Sequence, residues 1–199
     1  MKKVFLIHGF MGRPNGGWRP WLMAELNKDK IYACALPMPN PENPQRDEWV
    51  KAISDAVGDF PEEVFLVGHS LGVPAILRYL ETFSENKKIG GAILVSGPSS
   101  ILNPENKESK LRKIDNFLDS PFDYISIKQK SKNFCVIHGE SDDKVPLEHP
   151  KIISENLDCQ KIILPNMGHL DDNECFELSE LLISLMGMIS PSPSEERAG

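Results

Sequence analysis

The amino-acid sequence predicts an α/β fold: a parallel sheet of about six strands with helices on both faces, in three layers. Three observations support it. Short apolar, β-branched runs alternate with longer segments of helical period, the signature of repeated βαβ units. The runs are nearly continuous in apolar residues, as expected of strands buried on both faces. With 199 residues, 40% of them hydrophobic and 26% charged, the composition is that of an ordinary globular protein. A chain of this size buries roughly 70% of its unfolded surface and needs no disulfide or structural metal to hold a core.

Taken in order, the expected strands are Val4 to His8, Ile31 to Leu36, Val64 to Val67, Ala92 to Val95, Phe134 to Ile137 and Lys161 to Leu164. Between them, Trp49, Val50, Ile53 and Val57 fall on one helical stripe, and Leu178, Leu181, Leu182 and Leu185 on another. Asp171 with Glu174 three residues later reads as a capping box for the last helix. The run 99–132 interrupts the rhythm and is too polar for a further strand and helix of the sheet. It is expected to be a short, lid-like helical insertion on the side where strands end. Residues 1–189 are thus expected to form a single domain without a large cap, followed by a disordered tail over 190–199, rich in Ser, Pro and Glu.

The formal net charge of −7 argues against a nucleic-acid partner, since affinity for phosphate backbones comes from Lys and Arg displacing counterions. Lys107, Lys110, Arg112 and Lys113 do cluster, but Glu105, Glu108 and Asp115 lie beside them, so a solvated helix face is expected. The apolar run after Met1-Lys2-Lys3 is too short for a signal-peptide core or a membrane span, and a cytoplasmic location is expected. The four cysteines show no zinc-ligand or redox spacing, so they read as buried free thiols, and no metal or cofactor is expected.

Chemistry is concentrated in Gly68-His69-Ser70-Leu71-Gly72, which follows the strand Val64 to Val67 and opens a helix through Ile76, Leu77 and Leu80. Strand, sharp turn and helix in succession are what a nucleophile elbow requires, so Ser70 is the candidate nucleophile. A serine hydroxyl is a poor nucleophile at neutral pH and needs a general base within reach. Of five histidines, His69 stands in the elbow with its side chain expected to point away from the hydroxyl. His8 and His138 each end a strand beside a glycine, and His149 lies at an expected helix start. His169 follows the last strand, where the serine, acid, histidine chain order of α/β-hydrolases places the base.

The acid that orients this base should follow a strand between them. The segment His138-Gly139-Glu140-Ser141-Asp142-Asp143-Lys144-Val145-Pro146 offers three carboxylates. Asp142 has the spacing from Gly139 and from Val145-Pro146 that is usual for the acid turn of such hydrolases. Asp143 is the alternative, and Glu140 sits too close to the strand end. For the oxyanion, the His8-Gly9-Phe10-Met11-Gly12 loop suggests the backbone N–H groups of Phe10 and Leu71. G-x-G-x-x-G is absent from that loop, which disfavours a dinucleotide.

The sequence resembles the small α/β-hydrolases of the retinoblastoma-binding protein 9 and YdeN type over most of its length. The likeness rests on the His8-Gly9 loop running on to Trp18 and Trp21, Leu36-Pro37-Met38-Pro39-Asn40-Pro41, and the elbow with Pro74-Ala75-Ile76-Leu77-Arg78. Gly91-Ala92-Ile93-Leu94-Val95-Ser96-Gly97, the pair Asp142-Asp143, and Gly168-His169 complete it. The resemblance implies a compact core without a large cap and serine hydrolase activity on small esters, with the triad on Ser70, His169 and either Asp142 or Asp143. Binding to a retinoblastoma-type pocket protein is not carried over. The L-x-C-x-E motif fails, since Asn173 stands where leucine should precede Cys175 and Glu177.

The expected activity is hydrolysis of a carboxylic ester-like bond of a small substrate through an acyl-enzyme on Ser70. Amide or thioester cleavage by the same residues, or a binding or regulatory role with a little-used triad, are the alternatives. Phe10, Met11, Trp18, Ile101, Leu102, Phe117 and Phe122 could give the site an apolar mouth, though each is as easily core.

Overall fold

The apolar runs form six strands: β1 (Lys3–Ile7), β2 (Tyr32–Ala35), β3 (Val64–His69), β4 (Gly91–Val95), β5 (Phe134–Gly139) and β6 (Gln160–Leu164). All pair in parallel, in the order β2-β1-β3-β4-β5-β6. The computed structural model describes residues 1–59, 61–103, 105–106, 108–171 and 175–190. Lys107, Asn173, Glu174 and residues 191–199 of the tail expected over 190–199 lie outside that set.

Each inner strand sends alternate side chains to opposite faces, the period of two inherent in a pleated strand. Leu66, Leu94 and Val136 enter one core with α2 (Arg46–Val57), α3 (Gly72–Glu81) and α5 (Glu148–Leu157). Phe65, Val67, Ile93 and Ile137 enter the other, against α1 (Arg19–Lys28) and α6 (Ser179–Ile189). Both apolar stripes expected of the helices face these cores, through Trp49, Ile53 and Val57 on α2 and Leu181 and Leu185 on α6.

Two expectations need correction. Burial on both faces holds for the inner strands but fails at the edges, where Tyr32, Gln160 and Lys161 are exposed because an edge strand has a neighbour on one side only. The last helix begins at Ser179, not at Asp171, whose carboxylate is instead ion-paired with Lys144.

Residues 99–132 contain a 3₁₀ turn over Lys110–Phe117, capped by Ser109, and the short helix α4 (Tyr124–Lys128), capped by Asp123. Their apolar side chains Ile114, Phe117, Phe122 and Ile127 enter the core beside α2 and α3. The basic cluster is only partly a solvated face. Lys110 and Lys113 are exposed, but Arg112 is largely covered, pairs with Asp115 at 3.2 Å and donates to the Leu102 carbonyl. An irregular chain leaves carbonyls without partners, and Arg112 serves one of them. No helix among the described residues is long and apolar enough to cross a membrane.

Candidate active site

Ser70 occupies the turn between β3 and α3 with φ of 52°, the left-handed region that costs a residue bearing a side chain about 1 kcal/mol or more. Its surroundings enforce that conformation. The Ser70 N–H donates to the Val95 carbonyl at 2.9 Å, and its own carbonyl accepts from Val73 N–H at 3.0 Å. Gly72 lies against β1 so closely that a Cβ there would stand 2.3 Å from the Ile7 carbonyl oxygen, and one on Gly68 would meet the Gly72 carbonyl at 2.7 Å. Glycine at both positions lets strand and helix approach until the serine is lifted above the sheet edge.

His169 and Asp142 arrive at that edge on the loops after β6 and β5. His169 Nδ1 is 2.8 Å from Asp142 Oδ2 and 3.0 Å from Oδ1, and His169 Nε2 is 3.0 Å from Ser70 Oγ. Because a carboxylate only accepts, Nδ1 carries the proton and Nε2 is left to accept from the serine hydroxyl. The two loops are in backbone contact: Ser141 N–H donates to the Met167 carbonyl at 2.9 Å, and Glu140 N–H to that of Leu164 at 2.9 Å.

Between the paired aspartates the geometry discriminates. The Asp142 carboxylate is fully buried, and its Oδ1 also accepts from the N–H groups of Lys144 and Val145, each at 2.9 Å. Burial alone would raise its pKa, but the His169 hydrogen bond and charge, with those two N–H groups, outweigh burial and hold it below the ordinary value. Asp143 is exposed and faces the cleft. Glu140 is exposed, and its Oε2 accepts from Asn166 N–H at 3.3 Å.

The other histidines hold loops together. His69 turns from the hydroxyl and donates from Nε2 to the His169 carbonyl at 2.9 Å. Burial first, then the neighbouring His169, lowers its pKa to about 3, so it is neutral near pH 7. His8 donates from Nδ1 to the Gly9 carbonyl at 2.8 Å, and His149 Nδ1 accepts from Ser99 N–H at 3.1 Å. His138, fully buried, donates from Nε2 to the Val145 carbonyl at 2.8 Å. Its pKa is lowered by burial, although the Val145 carbonyl and the Asp142 charge act in the opposite direction.

The loop after β1 completes the site. A Cβ on Gly9 would lie 2.9 Å from Ser70 Cβ, so this loop passes directly over the elbow. Among the described residues neither Phe10 N–H nor Leu71 N–H has an acceptor, whereas Met11 N–H is bound to the Pro41 carbonyl and Gly12 N–H to that of Gly9. Ser70 and His169 open into a cleft of about 480 Å³. Of the apolar residues expected at its mouth, Phe10, Met11 and Leu102 line it. Trp18, Phe117 and Phe122 are core, and Ile101 packs against the core. The cleft also recruits Leu111 and Ile114, with Lys144 and Asp171 at the acid-loop side. Nothing local in the sequence marks these four, because only the tertiary fold brings their segments together.

An open six-stranded parallel sheet with a serine elbow after its third strand defines an α/β-hydrolase, and no cap domain stands over the cleft among the described residues. The serine hydrolase family profile matches residues 4–186, and the chain belongs to that family. It is 35% identical over 175 residues to YdeN of Bacillus subtilis strain 168, a protein named as a hydrolase, covering 88% of this chain and 89% of that one. It is 24% identical over 171 residues to the rat (Rattus norvegicus) serine hydrolase RBBP9, covering 85% and 87%. The crystal structure of the B. subtilis ydeN gene product superposes with a TM-score of 0.87 at 33% identity, covering 94% of this chain and 98% of that one. Est1E of Butyrivibrio proteoclasticus, solved with ferulic acid, shares the fold with a TM-score of 0.72 at 18% identity, over 94% and 88% of the two chains.

Proposed function

We propose that this serine hydrolase cleaves a carboxylic ester-like bond of a small substrate through an acyl-enzyme on Ser70. The observation that carries the reading is the continuous hydrogen-bonded line from Ser70 Oγ through His169 to the buried Asp142 carboxylate, beneath an open cleft. In this reaction His169 Nε2 takes the hydroxyl proton as Ser70 Oγ attacks the carbonyl carbon. Negative charge gathers on the carbonyl oxygen, where the N–H groups of Phe10 and Leu71 receive it. Each preorganised donor is worth roughly 3 to 4 kcal/mol. Asp142 holds the imidazole tautomer and stabilises the imidazolium. His169 then protonates the departing alcohol, and water activated by the same imidazole releases the acid and restores the serine.

The cleft suits a small acyl group. Leu102, Leu111 and Ile114 line it, and residues 99–132 offer too little surface to cover a long chain. Amides and thioesters react through the same groups, and a panel of matched ester, thioester and amide substrates ranks the three by kcat/KM.

The test is direct. A fluorophosphonate probe should label the protein, and labelling should vanish in Ser70→Ala; unchanged labelling of that variant removes Ser70 from the chemistry. Hydrolysis of p-nitrophenyl acetate should fall roughly a million-fold in Ser70→Ala or His169→Ala. A folded wild-type protein that neither takes the probe nor turns over any of the panel supports a binding role instead.

A further inference from the structure

We infer that His138 is a positioning residue for the proposed triad acid, holding the acid turn around Asp142 closed through the N–H it donates to the Val145 carbonyl. The inference rests on the triad reading above.

His138, the last residue but one of β5, stands four residues before Asp142, and the chain between them doubles back so that both side chains are fully buried in one place. Its Nε2 lies 2.8 Å from the Val145 carbonyl and 3.4 Å from Asp142 Oδ2. A carbonyl accepts only, so Nε2 carries the proton and donates it to Val145, while Asp142 Oδ2 stands close by without a hydrogen bond from it. The turn is thereby closed from both ends. Asp142 Oδ1 accepts the N–H groups of Lys144 and Val145, while the carbonyl of the same Val145 accepts from His138. Asp142 Oδ2, the oxygen nearer His169 Nδ1, is flanked by one histidine that moves protons and one that does not.

A carboxylate rotates freely about its Cβ–Cγ bond unless both oxygens are held. The backbone N–H groups of Lys144 and Val145 hold Oδ1 and His169 holds Oδ2, so the grip on Oδ1 lasts only while the turn stays closed. Without His138 the Val145 end of the turn can open, Oδ1 loses a donor, and the Nδ1–carboxylate geometry that fixes the His169 tautomer loosens. Small misplacements of this kind cost rate without weakening substrate binding, because Asp142 does not touch the substrate.

The experiment is a double-mutant cycle on p-nitrophenyl acetate hydrolysis. In the wild-type background, His138→Phe, which keeps the volume and removes the N–H, should lower kcat about 10- to 100-fold with KM within about twofold. His138→Gln, which can return a donor to the Nε2 position, should recover part of that loss. In an Asp142→Asn background, His138→Phe should change kcat less than about threefold, because the group it acts through is already disabled. An equal loss in both backgrounds, or a loss carried by KM, overturns the inference. Should His138→Phe fail to fold, His138→Gln and His138→Ala run through the same cycle with the same criteria. A fully active Asp142→Asn single variant would instead overturn the triad reading, an outcome distinguishable from failure of the inference alone.

Discussion

The two sides of the cleft are built by different means. The reacting side, at the ends of β1, β3, β5 and β6, is set by backbone lying against backbone. A Cβ on Gly72 would stand 2.3 Å from the Ile7 carbonyl, and one on Gly139 would stand 2.0 Å from that of Gly168. The facing side, residues 99–132, is irregular chain held down by side chains. Arg78 from α3 donates to the carbonyls of Phe117, Ser120 and Pro121, and Asn116 bonds both the Arg46 N–H and the Pro44 carbonyl. Backbone contacts of that tightness leave no room for change, whereas a side-chain fastener can be weakened by degrees. The reacting side should therefore fail abruptly when altered, and the facing side should yield graded changes in selectivity.

The largest contrast lies within the acid turn. Asp142→Asn keeps the shape but loses the acceptor that fixes the His169 tautomer, and kcat should fall about 10⁴-fold. Asp143→Asn removes a charge from an exposed carboxylate at the cleft and should change kcat/KM by no more than about threefold. Steady-state kinetics on both variants decide the matter, and a reversed pair of values would move the triad acid to Asp143.

This contrast also marks how far the sequence could be read. Ser70 was legible because its signal is local: strand, glycine-bounded turn and helix are contiguous. Asp142 and His169 were named from their places after β5 and β6, and Asp142 over Asp143 from its spacing to Gly139 and Val145-Pro146; the structure adds that Asp142, not Asp143, is buried against His169. The facing side was not legible. Arg78 and Lys130, charged side chains with no local mark of burial, are both buried, with Lys130 donating to the Ser84 carbonyl at 3.1 Å. Apart from the Arg78–Glu81 ion pair at 2.9 Å, their partners are backbone carbonyls, which no periodicity announces. For the same reason Leu111 and Ile114 gave no sign of lining the cleft, and the last helix seemed to start at an aspartate that is engaged with Lys144 instead.

The second contrast is in acid stability. The reacting side depends on buried neutral histidines. The folded-state pKa of His69 is about 3 against an ordinary 6.5, and those of His138 and His149 are also lowered. A group whose folded pKa is depressed binds more protons when unfolded, so its contribution is full above about pH 6.5 and is lost as pH falls toward 3. Asp142, also depressed, adds loss of the same sign as pH falls through its folded value. Chemical denaturation should show stability falling steadily from pH 7 to pH 4. His69→Gln should flatten that slope while lowering stability at pH 7; an unchanged slope would assign the acid sensitivity elsewhere.

A smaller effect is expected where a fastener of the facing side is cut. Asn116→Ala removes the bonds to Arg46 N–H at 2.7 Å and to the Pro44 carbonyl at 3.1 Å. The expected cost is about 1 to 2 kcal/mol, read as a fall in Tm of about 2 to 4 °C per kcal/mol. Hydrolysis of an acetyl ester should stay within about twofold of wild type, since nothing at the strand ends depends on Asn116. A thousand-fold loss of kcat in a folded variant would mean that the two sides are mechanically coupled and that the division between them is wrong.

The smallest effect is the one that separates selectivity from catalysis. Leu111 lies on the facing side, half-buried, and presents its side chain to the cleft beside Ile114. Truncation to alanine leaves the proposed triad and the proposed oxyanion donors untouched but deepens the space open to an acyl chain. Each methylene accommodated in an apolar pocket is worth roughly 1 kcal/mol or more when enclosed, and less on a partly open wall. The ratio of kcat/KM for octanoyl over acetyl p-nitrophenyl ester should therefore rise about 3- to 10-fold in Leu111→Ala, with acetyl turnover nearly unchanged. A parallel fall for both esters would place Leu111 in the support of the reacting side. An unchanged ratio would mean that the acyl chain leaves the cleft by another route, past Met11 and the Gly9–Gly12 loop.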